Sequence, residues 1–227
     1  MRTIKRVSLG IKGLDKLIEG GVPEGSTILL TGSPGTGKTI FSIQFLVHGA
    51  MNKENGLYIS MEEDVNRLKH YLEATFAWPL EKLEEEKKLL LLRTEFFDYE
   101  KFKLMLETNV EKIEAKRLVI DPITTLSLFF ERPLDIRRSL LDLDRLLKKL
   151  GCTTLLTCEV PEGSSSISSF GIEEFTSDGI IILKYYVGNL PRSLVIRKMR
   201  ATEHSSDEVP FEIKRNVGII VKNVTKS

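Results

Sequence analysis

The sequence predicts an α/β fold: a mostly parallel central sheet flanked by helices, with antiparallel strands added at one edge. Three observations carry that prediction. Between residues 26 and 159, short apolar runs of strand length alternate with segments of helical periodicity, as in a sheet covered on both faces. Beyond residue 179, four strand-like runs follow one another with no helix between them, which is how antiparallel additions read. A glycine-rich stretch, GSPGTGKT, lies between the first strand and the first helix.

Taken in order, STILLTG (26–32) is a strand and KTIFSIQFLVHGAM (38–51) a buried helix. GLYIS (56–60) is a strand, and DVNRLKHYLEATF (64–76) is a helix with Leu68, Leu72 and Phe76 on one face. The charge run EKLEEEKK (81–88) reads as a solvated helix or turn. KKLLLLR (87–93) is a strand, YEKFKLMLETNVEKIEA (99–115) an amphipathic helix and RLVID (117–121) a strand. LDIRRSLLDLDRLLKKLG (134–151) is a helix that stops at Gly151, with Lys148 and Lys149 placed favourably at its end. TTLLTCE (153–159) is the next strand, and IIILKYY, SLVIRKM, FEIKR and GIIVKN close the sheet. One domain, 1–227, accounts for this length without repeats or linkers.

Composition narrows the function. Lys and Arg total 33 against 32 Asp and Glu, a formal charge of +1, which argues against a generally basic nucleic-acid binder. Abundant Lys and Glu beside a single glutamine, Gln44, point to a heat-loving source. No apolar run approaches the roughly 20 residues that span a bilayer. No signal core follows the basic N-terminus, so the expectation is a soluble cytoplasmic protein without a membrane partner. Cys152 and Cys158 share one strand, about 20 Å apart, and cannot form a disulfide there. Histidine and cysteine are too few to expect structural zinc. His48 and His70 read as a packed and an exposed helix residue, and Trp78 as a packing anchor.

GSPGTGKT, residues Gly32, Ser33, Pro34, Gly35, Thr36, Gly37, Lys38 and Thr39, has the G-x-x-x-x-G-K-[ST] form in the context its mechanism needs. Backbone N–H groups of the loop and of the helix opening at Lys38, Thr39 and Ile40 bind phosphate. Lys38 reaches the β- and γ-phosphates and the Thr39 hydroxyl takes a position on Mg²⁺. The cofactors expected are therefore ATP and Mg²⁺. Asp121 ends an apolar strand, where a carboxylate faces the phosphate crevice and holds a metal-bound water; the plainer reading is a helix cap. Glu62 and Glu63 end another strand. Their mutual repulsion favours a raised pKa in one of them and hence general-base work; the plainer reading is acids at the start of a helix, and for Glu62 alone spacing favours the catalytic role.

The run GIKGLDKLIEGGVPEGSTILLTGSPGTGKTIFSIQFL resembles the opening of the KaiC-like branch of the RecA/RadA ATPase superfamily. The resemblance continues through YISMEE, FAW, LVIDPITTL, TCEVPEGSSSISSFGIEEFTSDGIIIL and IRKMRATEHSSDEVPFEI, far apart and in order. It implies a RecA-type P-loop core that binds and hydrolyses ATP at sites between subunits of a homo-oligomeric ring, usually six-membered. By motif, Lys38 and Thr39 match the P-loop pair, Glu62 and Glu63 the catalytic carboxylates, and Asp121 the Walker B acid. Lys198, Met199, Arg200, Thr202 and His204 match the segment that reaches the neighbouring subunit's ATP, with Lys198 and Arg200 in a catalytic role. Thr75 lies near an adenine-side position. Lys198 and Arg200, two apart on a strand, should share a face at the subunit edge, with Arg197 opposite.

Two-domain members of this family phosphorylate a Ser-Thr pair. Here that pair falls on Glu174 and Phe175, so autophosphorylation there is not expected, and a single domain cannot run a two-ring cycle. The output expected is a regulatory or signalling switch acting on a protein partner that no motif identifies. The alternative is a RadA-paralog accessory that binds single-stranded DNA or modulates recombination. Residues 159–183 lack Lys and Arg, and the core begins with no preceding DNA-binding module, so DNA is not favoured. Arg132, Arg137 and Arg138 read as a solvated helix start, and Phe129 and Phe130 as core or interface rather than base-stacking groups.

Overall fold

A computed structural model of the chain describes residues 3–94, 98–164, 166–169, 171, 176–186, 188 and 192–222. The strands are β1 (Arg6–Val7), β2 (Val22–Pro23), β3 (Thr27–Gly32), β4 (Gly56–Ser60), β5 (Leu89–Arg93), β6 (Arg117–Asp121), β7 (Thr153–Glu159), β8 (Gly179–Tyr185), β9 (Arg192–Met199), β10 (Val209–Lys214) and β11 (Gly218–Val221). The helices are α1 (Lys38–Met51), α2 (Val65–Phe76), α3 (Leu80–Glu85), α4 (Tyr99–Lys112) and α5 (Pro133–Leu150). Short 3-10 segments span Asp15–Ile18 and Ile123–Phe129.

Among the described residues one large sheet has the order β11-β10-β9-β8-β3-β7-β6-β4-β5. The six strands from β8 to β5 run parallel, and β9, β10 and β11 are antiparallel additions at one edge. β3 and β6 are buried along their whole length, as strands covered on both faces must be, which is why they read as unbroken apolar runs. Side-chain alternation divides the core between the two faces. Ile28 and Leu30 pack with Phe41 and Phe45 of α1, whereas Leu29 packs with Phe102 of α4 and Leu143 of α5.

The helix ends follow local chemistry. α5 stops at Gly151 in the left-handed conformation, with its N–H returned to the Leu147 carbonyl. The Asp64 carboxylate caps α2 by accepting from the Arg67 N–H at 2.8 Å. Asp64 thus serves the helix start, leaving the side chains of Glu62 and Glu63 to the neighbouring cleft. The 81–88 run is not purely solvated. Leu80 and Leu83 of α3 are buried, and Glu84 binds Lys69 and accepts from the Leu91 N–H. Trp78 stacks on Phe76 with centroids 4.6 Å apart. Phe129 packs against Phe102 and Phe130 against Tyr99. His48 is half-buried, with burial and then Arg117 holding its pKa down, and His70 is exposed. Both cysteines are buried free thiols, and burial pushes Cys152 up to about 11. Among the described residues no helix is long and apolar enough to cross a membrane.

The basic strand, β9, differs from its sequence reading in two ways. Ile180 pairs with Lys198 but Ile181 with Ile196, which leaves Arg197 as the extra residue of a bulge and breaks the strand's alternation. Arg200 falls one residue past β9, in a turn.

Candidate functional site

Strand register assembles the cleft. Gly32 pairs with Glu159, and Ser60 pairs with Asp121. The C-terminal ends of β3, β7, β6 and β4 therefore finish together, at the end of a parallel sheet where ligands bind. Above them lies a cleft of about 370 Å³, walled by Pro34, Gly35, Gly37, Lys38, Thr39 and Ile40 on one side. Glu62, Glu63, Asp121 and Glu159 face them, and Tyr58, Arg192 and Ile213 complete the wall.

The loop between β3 and α1 is bound to itself. The Thr36 hydroxyl donates to the Ser33 carbonyl at 2.8 Å. Any side chain at Gly32 would place its Cβ 2.5 Å from the Leu183 carbonyl oxygen, so only glycine lets the loop leave the sheet here. Gly37, at φ 106°, turns the chain into α1. Lys38 is 6% exposed, and its ammonium donates to the carbonyls of Gly32 (2.9 Å) and Ser33 (3.2 Å).

Asp121 is 8% exposed and accepts three hydroxyls: Thr39 (2.9 Å) and Tyr58 (2.7 Å) on one oxygen, Thr157 on the other. The peptide bond from Asp121 to Pro122 is cis. Burial, followed by the Asp121 charge, pushes the Tyr58 phenol far above its ordinary value, so Tyr58 remains a neutral donor. Burial, then Asp121 and then Glu62, raises the Glu63 carboxyl. Glu62 instead accepts from the Thr125 hydroxyl at 2.8 Å.

These groups fit Mg²⁺ and a nucleoside triphosphate. Among the described residues no group of three or more His, Cys, Asp and Glu side chains could hold a metal ion alone. The touching pair of Thr39 hydroxyl and Asp121 carboxylate is the share that a protein contributes when phosphate oxygens and water supply the remaining ligands.

The other sequence-singled residues lie elsewhere. Met199 pairs with Gly179, and Gly179 pairs with Ile28, near the start of β3. Lys198 and Arg200 therefore sit at the opposite end of the sheet from Gly32, about 13 Å away along the strand direction. Lys198 donates to the Ser177 carbonyl at 2.6 Å, and Arg200 pairs with Asp178 at 3.0 Å. Burial and then Arg200 push the Lys198 pKa down. Thr202 accepts from Arg6 at 2.9 Å, and the His204 ring contacts the Ser205 carbonyl at 3.1 Å. Met199 is buried. Thr75 lies on α2 outside the cleft wall, with its carbonyl taking the Asn216 N–H. Glu174 and Phe175 lie outside the described residues.

Sequence reading did not single out Tyr58, Thr157, Arg192 and Ile213 for this site, and took Glu159 only as one acid of a loop. A tyrosine inside the otherwise apolar GLYIS was a legible signal, because a buried phenol needs a hydrogen-bond partner. The others belong to the cleft only through register.

A phosphate-cradling loop opening a helix on a central parallel strand, with an acid at the end of another strand one position removed, defines a RecA-type P-loop nucleotide-binding protein. The profile of a family described as "ATPase: KaiC" matches residues 7–226, and the chain belongs to that family. It is 37% identical to a "UPF0273 protein" of Thermotoga maritima over 96% of both chains. It is 33% identical to the "Circadian clock oscillator protein KaiC" of Prochlorococcus marinus, over 96% of this chain but 45% of that one. A crystal structure of a KaiC-like protein from the hyperthermophilic archaeon Pyrococcus horikoshii OT3 superposes with a TM-score of 0.88. It shares 42% identity and covers 97% of this chain and 100% of that one.

Proposed function

We propose that this protein is a Mg²⁺-dependent ATPase that works as a homo-oligomeric ring, with each ATP site completed by the neighbouring subunit, and that the ring serves as a regulatory switch. Mg²⁺ supplies charge neutralisation at the phosphates. Lys38 and the backbone of Gly35 to Thr39 bind phosphate, Thr39 and Asp121 hold the metal, and Glu63 orients and deprotonates water. Glu63 is favoured over Glu62 as the base because its pKa is raised, whereas Glu62 is engaged by Thr125. Lys198 and Arg200 act on the neighbour's phosphates, as an arginine finger does.

One observation supports this reading: the P-loop residues and the Lys198–His204 segment, both singled out by the sequence, stand at opposite ends of one sheet. Lys198 and Arg200 are anchored within their own chain to Ser177 and Asp178, about 13 Å from Gly32 along the strand direction, so the phosphates they would reach are a neighbour's. The test is mass measurement with and without Mg-ATP for wild type and Lys38→Ala, together with phosphate release. Assembly with turnover is expected for the wild type. Arg200→Ala should be inactive alone and regain part of its activity when mixed with Lys38→Ala; mixed rings that stay inactive would refute the shared site. We also expect no phosphopeptide within 170–180 after incubation with ATP.

A further inference from the structure

Glu159 is a carboxylate that the P-loop motif does not call for. Its register opposite Gly32 brings Oε1 to 3.4 Å from the Lys38 Nζ. An ammonium has three donors. Two of those on Lys38 go to the Gly32 and Ser33 carbonyls, and Glu159 stands at ion-pair distance from the same ammonium. The contact is asymmetric: Lys38 is 6% exposed and its acid 46% exposed, so the acid has room to leave while the cation stays. The main chain beneath Glu159 is held, with the Ser169 hydroxyl donating to its carbonyl. The surrounding charge is unbalanced. Among the described residues, Glu62, Glu63, Asp121 and Glu159 line the cleft against Lys38 and Arg192.

We propose that Glu159 sets the preference of this cleft between a nucleoside triphosphate and a diphosphate, by occupying the Lys38 ammonium that phosphate must claim. The inference rests on the reading of the cleft as an ATP site. A ligand phosphate on Lys38 displaces the carboxylate and then meets its repulsion. Both effects grow with the negative charge brought to that ammonium, so the triphosphate is penalised more than the diphosphate. Glu159 is thereby a specificity-determining residue that acts before any chemistry.

The test is binding, not turnover. Mg-ADP and the Mg complex of AMP-PNP, an ATP analogue with a nitrogen bridging its β- and γ-phosphates, are titrated calorimetrically into wild type, Glu159→Gln and Glu162→Gln. Glu162 is an exposed acid of the next loop outside the cleft wall and controls for loss of charge in general. In Glu159→Gln, AMP-PNP should bind ~10-fold tighter while ADP changes by less than ~3-fold, a shift worth ~1.4 kcal/mol. Glu162→Gln should leave the ratio within ~3-fold of wild type. An unchanged ratio in Glu159→Gln, or AMP-PNP bound more weakly by it, overturns the assignment, as does an equal shift in Glu162→Gln. If the wild type binds neither nucleotide, the ATP-site reading falls and the assignment with it. If it binds both and the ratio does not move, only the assignment falls.

Discussion

At the end of the sheet where β3, β6 and β7 finish, Asp121 is buried and accepts hydroxyls from Thr39, Tyr58 and Thr157. At the other end, Arg200 is 54% exposed and pairs with Asp178, itself tied to the Thr27 N–H at 3.1 Å. The first arrangement is preorganised: its polar groups are satisfied inside one chain and hold their geometry without help. The second is an ion pair whose cation is exposed, and screening by solvent keeps its contribution to stability small. One end therefore holds its polar groups fixed inside the chain, and the other leaves the Arg200 cation exposed.

The largest effect expected separates the two ends functionally. Arg200→Ala should lower turnover by about 10³-fold or more while leaving nucleotide affinity of the dissociated protomer within a few-fold. Equal loss of binding and turnover would assign Arg200 to its own subunit's site. Next, Glu63→Gln should reduce turnover by about 10²-fold, and Glu62→Gln by less; the reverse order would make Glu62 the base.

Glu63 also predicts opposite pH trends. Burial, then Asp121, raises its folded pKa above the unfolded value, so the folded state holds the proton more tightly. Its contribution to stability is therefore largest at low pH and declines as pH rises through the raised value. Turnover, which needs the carboxylate, should rise over that same window. Parallel melts and rate measurements across it check both signs.

Smaller effects probe the preorganisation itself. Tyr58→Phe removes one donor from a buried carboxylate and should cost about 1.5–3 kcal/mol in unfolding free energy, read by denaturant titration. Asp178→Asn at the exposed end should cost at most about 1 kcal/mol. A larger loss there would mean that the Thr27 contact, rather than the ion pair, is what Asp178 provides.

Much of this was legible in the chain because local patterns suffice for it. GLYIS and RLVID are strands over the residues read, KTIFSIQFLVHGAM is helical over 38–51, and the loop between β3 and α1 carries its chemistry in eight consecutive residues. Asp121 was legible because it ends an apolar strand. The basic strand was less so. Alternation put Arg197 opposite Lys198 and Arg200, but the bulge at Arg197 is a property of pairing with β8 and leaves no mark in β9 alone. The N-terminal pair β1 and β2, two residues each, is too short for periodicity to reveal.

Local sequence was enough for the alternation of strands and helices and for the loop between β3 and α1, because each depends on residues close together in the chain. Which acid meets which partner follows instead from how distant segments pair. Tyr58 and Thr157 converge on Asp121, Glu159 faces Lys38, and Lys198 and Arg200 stand at the far end of the sheet. Those relations are set by strand order and register, which arise from pairing between segments up to more than a hundred residues apart and which no single segment encodes.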